Sequence, residues 1–146
     1  MIEYKDKIIF NFMDEIILYF DGCSKGNPGQ SGCGAIIKVN HIPISCTSEY
    51  LGVTTNNVAE YKGLILGLKE CFKLKYLKII VKGDSSLVIH QMTGKYKVKS
   101  PHLIPLYNEA KDIIKNMDII FLYIPREENK EADYLANMAL KQPLVS

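Results

Sequence analysis

The chain has 146 residues, a net charge of +2, 47% hydrophobic residues and 23% charged residues. These values indicate one ordinary soluble globular domain that needs no disulfide staples. No apolar run approaches the roughly 20 residues of a membrane span, and charged residues interrupt the N-terminal apolar stretch, so neither an anchor nor a signal peptide is predicted. Four cysteines without CxxC spacing predict free thiols and a cytoplasmic location.

The first predicted elements are strands. Residues 1–15 are expected to form an extension of uncertain structure, in which residues 8–12 form an extra strand or an ordered arm, before a domain at 16–146. The apolar run Ile16–Phe20 reads as a buried strand. A turn-rich segment follows, and then two further strands, Ala35–Val39 and Ile44–Tyr50. Their short connections predict an antiparallel meander.

Helical and strand patterns alternate in the remainder of the chain. A long helix is expected after a cap at Asn56 or Asn57, and a short one after a cap at Ser85 or Ser86. Pro101 is expected to open a third helix. The successive predictions are a helix through Phe72, a strand Leu77–Val81, a helix ending at Met92, a helix ending near Asn116, a strand Ile119–Ile124 and a last helix containing Ala132–Ala139. The order βββαβααβα predicts a mixed α/β sheet covered by helices.

Four acidic residues, Asp21, Glu60, Asp84 and Asp133, stand where predicted strands end or predicted helices begin. If the first and fourth strands are neighbours in a mixed sheet, these acids meet at one edge. Carboxylate oxygens suit Mg²⁺, and two such ions about 3.5–4 Å apart stabilise both the attacking and the leaving oxygen of a phosphoryl displacement. Clustered carboxylates without a cation would repel one another, so the pattern predicts a metal site.

Each acid also has an ordinary structural explanation. Asp21 can form an Asx-turn, and Asp84 can cap the following helix. Glu60 can complete a capping box with Asn57 in the first turn of its helix, and Asp133 can face the dipole of the last helix. The shared sheet edge favours a cluster over four independent caps.

Lysines are concentrated in residues 69–99, which carry eight lysines against two acids. Such a basic region fits the phosphate backbone of a nucleic acid. A solvated lysine-rich face is the more ordinary explanation of the same charge, and this observation alone leaves both interpretations open.

Four motifs resemble those of type 1 ribonuclease H, with matching order and spacing over about residues 16–140. They are DGCSKGNPG, TNN-x-x-E, GDS and EN-x-EAD, which begin at Asp21, Thr55, Gly83 and Glu128. The resemblance implies a ribonuclease H-like α/β fold, a five-stranded mixed sheet in which three antiparallel strands precede parallel additions, flanked by helices. It also implies an endonuclease that hydrolyses the RNA strand of RNA·DNA hybrids to 5′-phosphate and 3′-hydroxyl ends. Two Mg²⁺ ions, for which Mn²⁺ substitutes, would be held by Asp21, Glu60, Asp84 and Asp133.

The resemblance further implies substrate contacts. The backbone after the first aspartate would lie against RNA 2′-hydroxyls, which distinguish RNA from DNA. The asparagines of TNN would enter the minor groove, and its threonine, with the asparagine of GNPG, would hold a phosphate of the DNA strand. The predicted nucleic-acid contacts are Gly22, Cys23, Ser24, Asn27, Thr55, Asn56, Asn57, Lys95, Lys97 and Lys99.

Two departures from the family pattern indicate a short form. The stretch 123–129 lacks the loop histidine that many members carry before the last aspartate, and Arg126, Glu127 and Asn129 are the candidates for an auxiliary role there. The basic protrusion of some members is also missing, and the lysines at 95–99 are the candidates for replacing its contacts.

We interpret the chain as a monomeric, metal-dependent endoribonuclease with an RNA·DNA hybrid as its partner and no membrane partner. Another nuclease of the same fold, an exonuclease or a resolvase, is an alternative that the TNN-x-x-E and GNPG segments disfavour. A non-catalytic hybrid-binding module is the second alternative. It would be expected to have lost a carboxylate, and all four are present.

Overall fold

The computed structural model describes residues 3–4, 7–8 and 13–141. The strands are β1 Glu3–Tyr4, β2 Lys7–Ile8, β3 Ile16–Lys25, β4 Gly29–Val39, β5 Ile42–Thr54, β6 Lys78–Gly83 and β7 Asp118–Tyr123. The helices are α1 Asn56–Lys73, α2 Ser86–Met92, α3 Ile104–Ile114 and α4 Lys130–Leu140, with a 3-10 turn at Arg126–Glu128. β1 and β2 pair with each other in antiparallel orientation. The other residues of the strand or arm predicted at 8–12 lie outside the described residues, and the domain limits 16–146 stay a prediction.

Five strands form one mixed sheet in the order β5-β4-β3-β6-β7. The first three pair antiparallel, and β6 and β7 are added parallel to β3. This arrangement confirms the predicted fold class and the expectation that the first and fourth main strands are neighbours. Because β3 lies in the centre of the sheet, residues toward its C-terminal end are surrounded by loops and helix starts from several parts of the chain.

Helices cover both faces of the sheet. Ala35 of β4 faces Gly67 of α1, whereas a Cβ atom built on the adjacent Gly34 would lie 2.7 Å from the backbone nitrogen of Ala136 in α4. Since successive strand residues point to opposite faces, α1 and α4 pack on opposite sides. The main core lies on the α1 side, where the alternate β3 residues Ile16, Leu18 and Phe20 are buried together with side chains of α1, α2 and α3.

Small residues let both long helices approach the sheet closely. The buried face of α4 consists of Ala132, Ala136 and Ala139, which pack over Gly32 and Gly34 of β4. On α1, Gly63 and Gly67 lie one turn apart over β3. These contacts fix the distance between helix and strand backbones, and they therefore determine where helix side chains meet the sheet edge.

The structure corrects two local predictions and confirms a third. Thr55, and not Asn56 or Asn57, caps α1, since its hydroxyl accepts a hydrogen bond from the N–H of Val58. Residues 101–103 form a turn and α3 begins at Ile104, with Pro105 in its first turn, where a missing N–H costs nothing. The predicted cap by Ser85 on α2 is confirmed. Within the described part of the chain, no helix is long and apolar enough to cross a membrane.

Candidate active site

Asp21 lies inside β3 and does not end it, contrary to the sequence prediction. It pairs with Gly34 across the antiparallel ladder, so the Asx-turn interpretation is wrong. The parallel ladder on the other side of β3 stops at the pair Phe20 and Gly83. Asp21 and Asp84 directly follow this last pair in the chain. Both therefore lie at the C-terminal end of the parallel pairing between β3 and β6.

Glu60 reaches the same edge from α1. It lies in the second turn of the helix and is 6% exposed, and its Oε1 accepts a hydrogen bond of 3.1 Å from the backbone N–H of Gly22. The predicted capping box with Asn57 is therefore wrong. A Cβ atom at Gly22 would lie 2.2 Å from the carbonyl carbon of Ala59, so only glycine permits this approach of strand and helix.

Asp21, Glu60 and Asp84 form a carboxylate trio, in which one oxygen from each residue lies within 4.8 Å of the others. Asp84 does not cap α2, because Ser85 does. Among the described residues none of the three carboxylates forms an ion pair within 4 Å. Three carboxylate oxygens brought together without an ion-pair partner fit a hard divalent cation such as Mg²⁺.

Asp133 approaches the trio from the opposite face of the sheet. It lies in the first turn of α4, as predicted, and its proximity helps to raise the pKa of the Asp21 carboxyl. It does not belong to the mutually close set of oxygens. The start of its helix is held by Asn129, whose Nδ2 donates a hydrogen bond of 2.8 Å to the carbonyl of Phe20, one residue before Asp21.

Burial and mutual repulsion raise the pKa of two carboxyl groups in the trio. For Asp21 the main cause is burial, followed by the charges of Glu60, Asp84 and Asp133. The pKa of Glu60 is raised by burial and by Asp84, although the Gly22 hydrogen bond, Asp21 and the charge of Arg126 partly offset this. Without a cation, the folded protein therefore holds these groups in their protonated forms more readily than the unfolded chain does.

The metal-free protein is accordingly expected to lose stability as pH rises. Unfolded Asp and Glu have pKa values of about 3.9 and 4.3. Because the folded-state values are higher, the stabilising contribution is complete below that range and is lost as pH rises through the folded-state pKa. Replacing Asp21 by Asn should raise the unfolding free energy in EDTA at neutral pH by about 1 kcal/mol, the scale of one pKa unit.

Thermal and denaturant unfolding in EDTA from acidic to neutral pH measures this effect, with Asp118→Asn on the exposed start of β7 as control. The stability gain of Asp21→Asn over wild type should widen with pH, and the control should show no such trend. A variant that unfolds more easily than wild type at neutral pH would assign Asp21 a purely structural role.

A polar cleft of about 340 Å³ contains all four acids. Of the three residues predicted to have an auxiliary role, only Arg126 lines the cleft. Glu127 does not line it, and Asn129 is buried, with 1% of its surface exposed. Of the predicted nucleic-acid contacts, four line the cleft and the others lie outside it. The four are Gly22, Cys23, Ser24 and Asn56.

The remaining predicted contacts do not line the cleft. Asn27 is exposed in the β3–β4 turn, and its Oδ1 accepts a hydrogen bond of 3.0 Å from the N–H of Asn56. That bond, together with the cap by Thr55, joins the turn to the start of α1. Asn57 is exposed beside them. Lys95, Lys97 and Lys99 are all exposed in the connection between α2 and α3, which contains no further helix.

The cleft also contains three residues that the sequence motifs do not predict: Lys25, Tyr123 and Asn137. Asn137 follows Asp133 by four residues on α4, a spacing that places two side chains on the same helix face. Its Nδ2 donates to the carbonyl oxygen of Asp133 at 2.9 Å and to Oδ1 of Asp133 at 3.2 Å. The spacing of four residues between Asp133 and Asn137 is visible in the sequence and could have indicated this contact.

Comparisons with known proteins agree with this geometry. The family profile described as reverse transcriptase-like matches residues 19–139. The bifunctional protein Rv2228c of Mycobacterium tuberculosis is 41% identical over 129 residues, which are 86% of this chain and 35% of that protein. Ribonuclease HI of Halobacterium salinarum is 36% identical over 124 residues, 84% of this chain and 62% of that protein. The chain therefore spans about a third to three fifths of the length of these relatives.

The fold is also similar to that of a solved ribonuclease H structure. LC11-RNase H1 in complex with an RNA/DNA hybrid superposes with a TM-score of 0.81 and 38% identity, covering 86% of this chain and 96% of that one. The five-stranded mixed sheet with its carboxylate-lined cleft thus defines a ribonuclease H-like domain. The chain belongs to the ribonuclease H-like family, within its type 1 group.

Proposed function

We propose that the protein is an endoribonuclease that hydrolyses the RNA strand of RNA·DNA hybrids. The observation that carries the proposal is the carboxylate trio of Asp21, Glu60 and Asp84, two of them buried, with Asp133 beside it in an open polar cleft. A structural role would pair such buried charges, and no cationic partner lies within ion-pair distance among the described residues. The similarity to LC11-RNase H1, solved with a hybrid, supports the choice of substrate.

In this proposal the four acids are the metal ligands. Two bound Mg²⁺ ions, or Mn²⁺ in their place, would stabilise the attacking and leaving oxygens of an in-line phosphoryl displacement that leaves 5′-phosphate and 3′-hydroxyl ends. The residues of the chain position the ligands and the substrate. Gly22 holds Glu60 through its backbone N–H, and Arg126 brings positive charge to the cleft, where a phosphate oxygen would bind.

Recognition of RNA is assigned to the segment that follows Asp21. Gly22, Cys23 and Ser24 line the cleft beside the acids, where they would contact RNA 2′-hydroxyl groups. Asn56 and Asn57 are exposed at the start of α1, where they would enter a minor groove of the bound duplex. Asn27 and Thr55, which are joined through the N–H of Asn56 and the α1 cap, would hold a phosphate of the DNA strand.

The direct test is a panel of end-labelled RNA·DNA, RNA·RNA and DNA·DNA duplexes, each incubated with Mg²⁺, Mn²⁺ or EDTA. Internal cleavage confined to the RNA strand of the hybrid, and abolished by EDTA, is the expected result. Products shortened one nucleotide at a time would instead indicate an exonuclease, and cleavage of branched DNA a resolvase. Tight hybrid binding without cleavage under any metal condition would favour the non-catalytic module.

The lysines of the α2–α3 connection are proposed to bind phosphates in place of a basic protrusion. Changing Lys95, Lys97 and Lys99 together to Ala should raise the KM for the hybrid more than it lowers kcat, because binding that is equal in ground and transition states is lost. The dependence of log K on log salt should become shallower, by up to about 0.9 per lost phosphate contact on the B-DNA scale.

Binding measured from low to moderate salt, in EDTA to prevent cleavage, tests this assignment. A matched control is the change of Lys73, Lys75 and Lys78 to Ala, since these exposed lysines lie at the opposite end of α1 from Glu60. An unchanged salt slope in the 95–97–99 variant would identify its lysines as a solvated face. The cytoplasmic location is a further proposal, supported by the free thiols. The monomeric state also stays a proposal.

A further inference from the structure

Asp133 is the acid whose position is least constrained by the sheet. The other three stand on β3, directly after β6, or on a helix held against Gly22, whereas Asp133 reaches the cleft from α4 on the opposite face. Its oxygens lie outside the mutually close trio. Aspartate has two rotatable side-chain bonds, so its contribution to a metal site depends on what holds the carboxylate.

Asn137 makes the contact that can hold it. One amide group donates to two oxygens of the same residue, the backbone carbonyl at 2.9 Å and the carboxylate Oδ1 at 3.2 Å. The first bond anchors the amide on the helix, and the second then restrains the carboxylate. The same carboxylate lines the cleft together with Asp21. Asn137 also lines the cleft, so its side chain lies on the side of α4 that borders the acids.

The amide also suits this place electrostatically. A carboxylate at 137 would add repulsion to four acids, and a lysine or arginine would compete with a metal ion for them. A neutral donor can hold the Asp133 carboxylate in place without either effect. Groups of this kind, which orient a metal ligand without touching the metal, typically change metal affinity or activity by about 10–100-fold when they are removed.

We propose that Asn137 is a positioning residue, which orients the Asp133 carboxylate for binding of a divalent cation. The proposal rests on the assignment of Asp133 as a metal ligand. It predicts that Asn137→Ala weakens Mn²⁺ binding to the nucleic acid-free protein by about tenfold or more. It also predicts that cleavage by the variant recovers at saturating Mn²⁺, with little change in the KM for the hybrid.

Calorimetric titration of Mn²⁺ into the full chain is the primary measurement, because it does not depend on cleavage and so separates this proposal from the proposed substrate. Wild type, Asn137→Ala, Asp133→Asn and the double variant form a cycle. The loss caused by Asn137→Ala should disappear in the Asp133→Asn background. Met138→Ala, the neighbouring and more exposed position on α4, is the control and should bind Mn²⁺ as wild type does.

Three results would overturn the proposal. An unchanged Mn²⁺ dissociation constant with a lower melting temperature would make the bond to the Asp133 carbonyl a simple helix contact. A fully additive effect in the Asp133→Asn background would separate Asn137 from Asp133. An increase in the KM for the hybrid with normal Mn²⁺ affinity would make Asn137 a substrate contact. Alanine is favourable in helices, so the variant is expected to fold, and melting curves will show that it does.

Discussion

Replacement of Asp21 by Asn is expected to reduce hybrid cleavage by on the order of 10³-fold or more. Asp21 is 4% exposed at the centre of the site, and the charges of Glu60, Asp84 and Asp133 all raise its pKa. The amide keeps the shape of the side chain but removes a negative charge from the metal site. Metal ions contribute several kcal/mol to stabilisation of such a transition state, and each 1.36 kcal/mol corresponds to a tenfold change in rate.

Single-turnover cleavage of a labelled hybrid at saturating Mg²⁺ measures the loss, with Asp118→Asn as the matched control. The variant should still bind the hybrid, and it should be at least as stable as wild type in EDTA, because the change relieves repulsion. This combination distinguishes a lost ligand from a damaged fold. Near-normal turnover by well-folded Asp21→Asn protein would rule out the assignment of Asp21 as a metal ligand.

The sheet and the acid cluster could be predicted because each rests on local patterns. Continuous apolar runs such as Ile16–Phe20 and Leu77–Val81 identify buried strands, and the motif around Asp21 marks the strand from which the cluster is built. Placing β6 beside β3 then brings Asp21 and Asp84 together, as the structure confirms. The extent of β3 beyond Asp21 was missed, because its last residues pair with β4 in a Gly-rich segment that reads as a turn.

The errors at helix starts have a physical cause. Thr55, Asn56 and Asn57 are all good cap residues, so composition does not choose among them. The choice follows from β5, which continues to Thr54 and leaves Thr55 in the extended conformation that a cap requires. Similarly, the contact of Glu60 with Gly22 depends on how closely α1 approaches β3, and that distance is a property of packing rather than of local sequence.

The contact of Asn137 with Asp133 could be predicted only in part from the sequence. The spacing of four residues on a helix is visible in the sequence and places both side chains on one face. What the sequence does not contain is the direction of that face, which is set by the packing of Ala132 and Ala136 over Gly32 and Gly34. Because those small residues bury one side of α4, Asp133 and Asn137 are left at the border of the cleft.

The same dependence on close packing predicts that Gly63→Ala is strongly destabilising. A Cβ atom at this position would lie 2.4 Å from the backbone oxygen of Asp21. An alanine in place of glycine normally stabilises a helix by about 1 kcal/mol, so helix propensity predicts the opposite sign. Overpacking against a backbone that cannot move is expected to dominate and to cost about 3 kcal/mol, since the core is already close-packed.

Gly67→Ala, one turn further along α1, is the matched control. Its Cβ would meet Leu18 Cδ1 at 2.4 Å, which is the end of a side chain that can change rotamer, so a smaller loss is expected. Denaturant unfolding in EDTA should therefore rank wild type above Gly67→Ala, and Gly67→Ala above Gly63→Ala. Calorimetric titration of Mn²⁺ under conditions where the variants remain folded should show weaker binding only for Gly63→Ala, because displacement of α1 moves Glu60 away from Gly22 and Asp21. Equal stability of the two variants would mean that the α1–β3 approach does not hold the acids together, and that the site depends on the loops at the sheet edge instead.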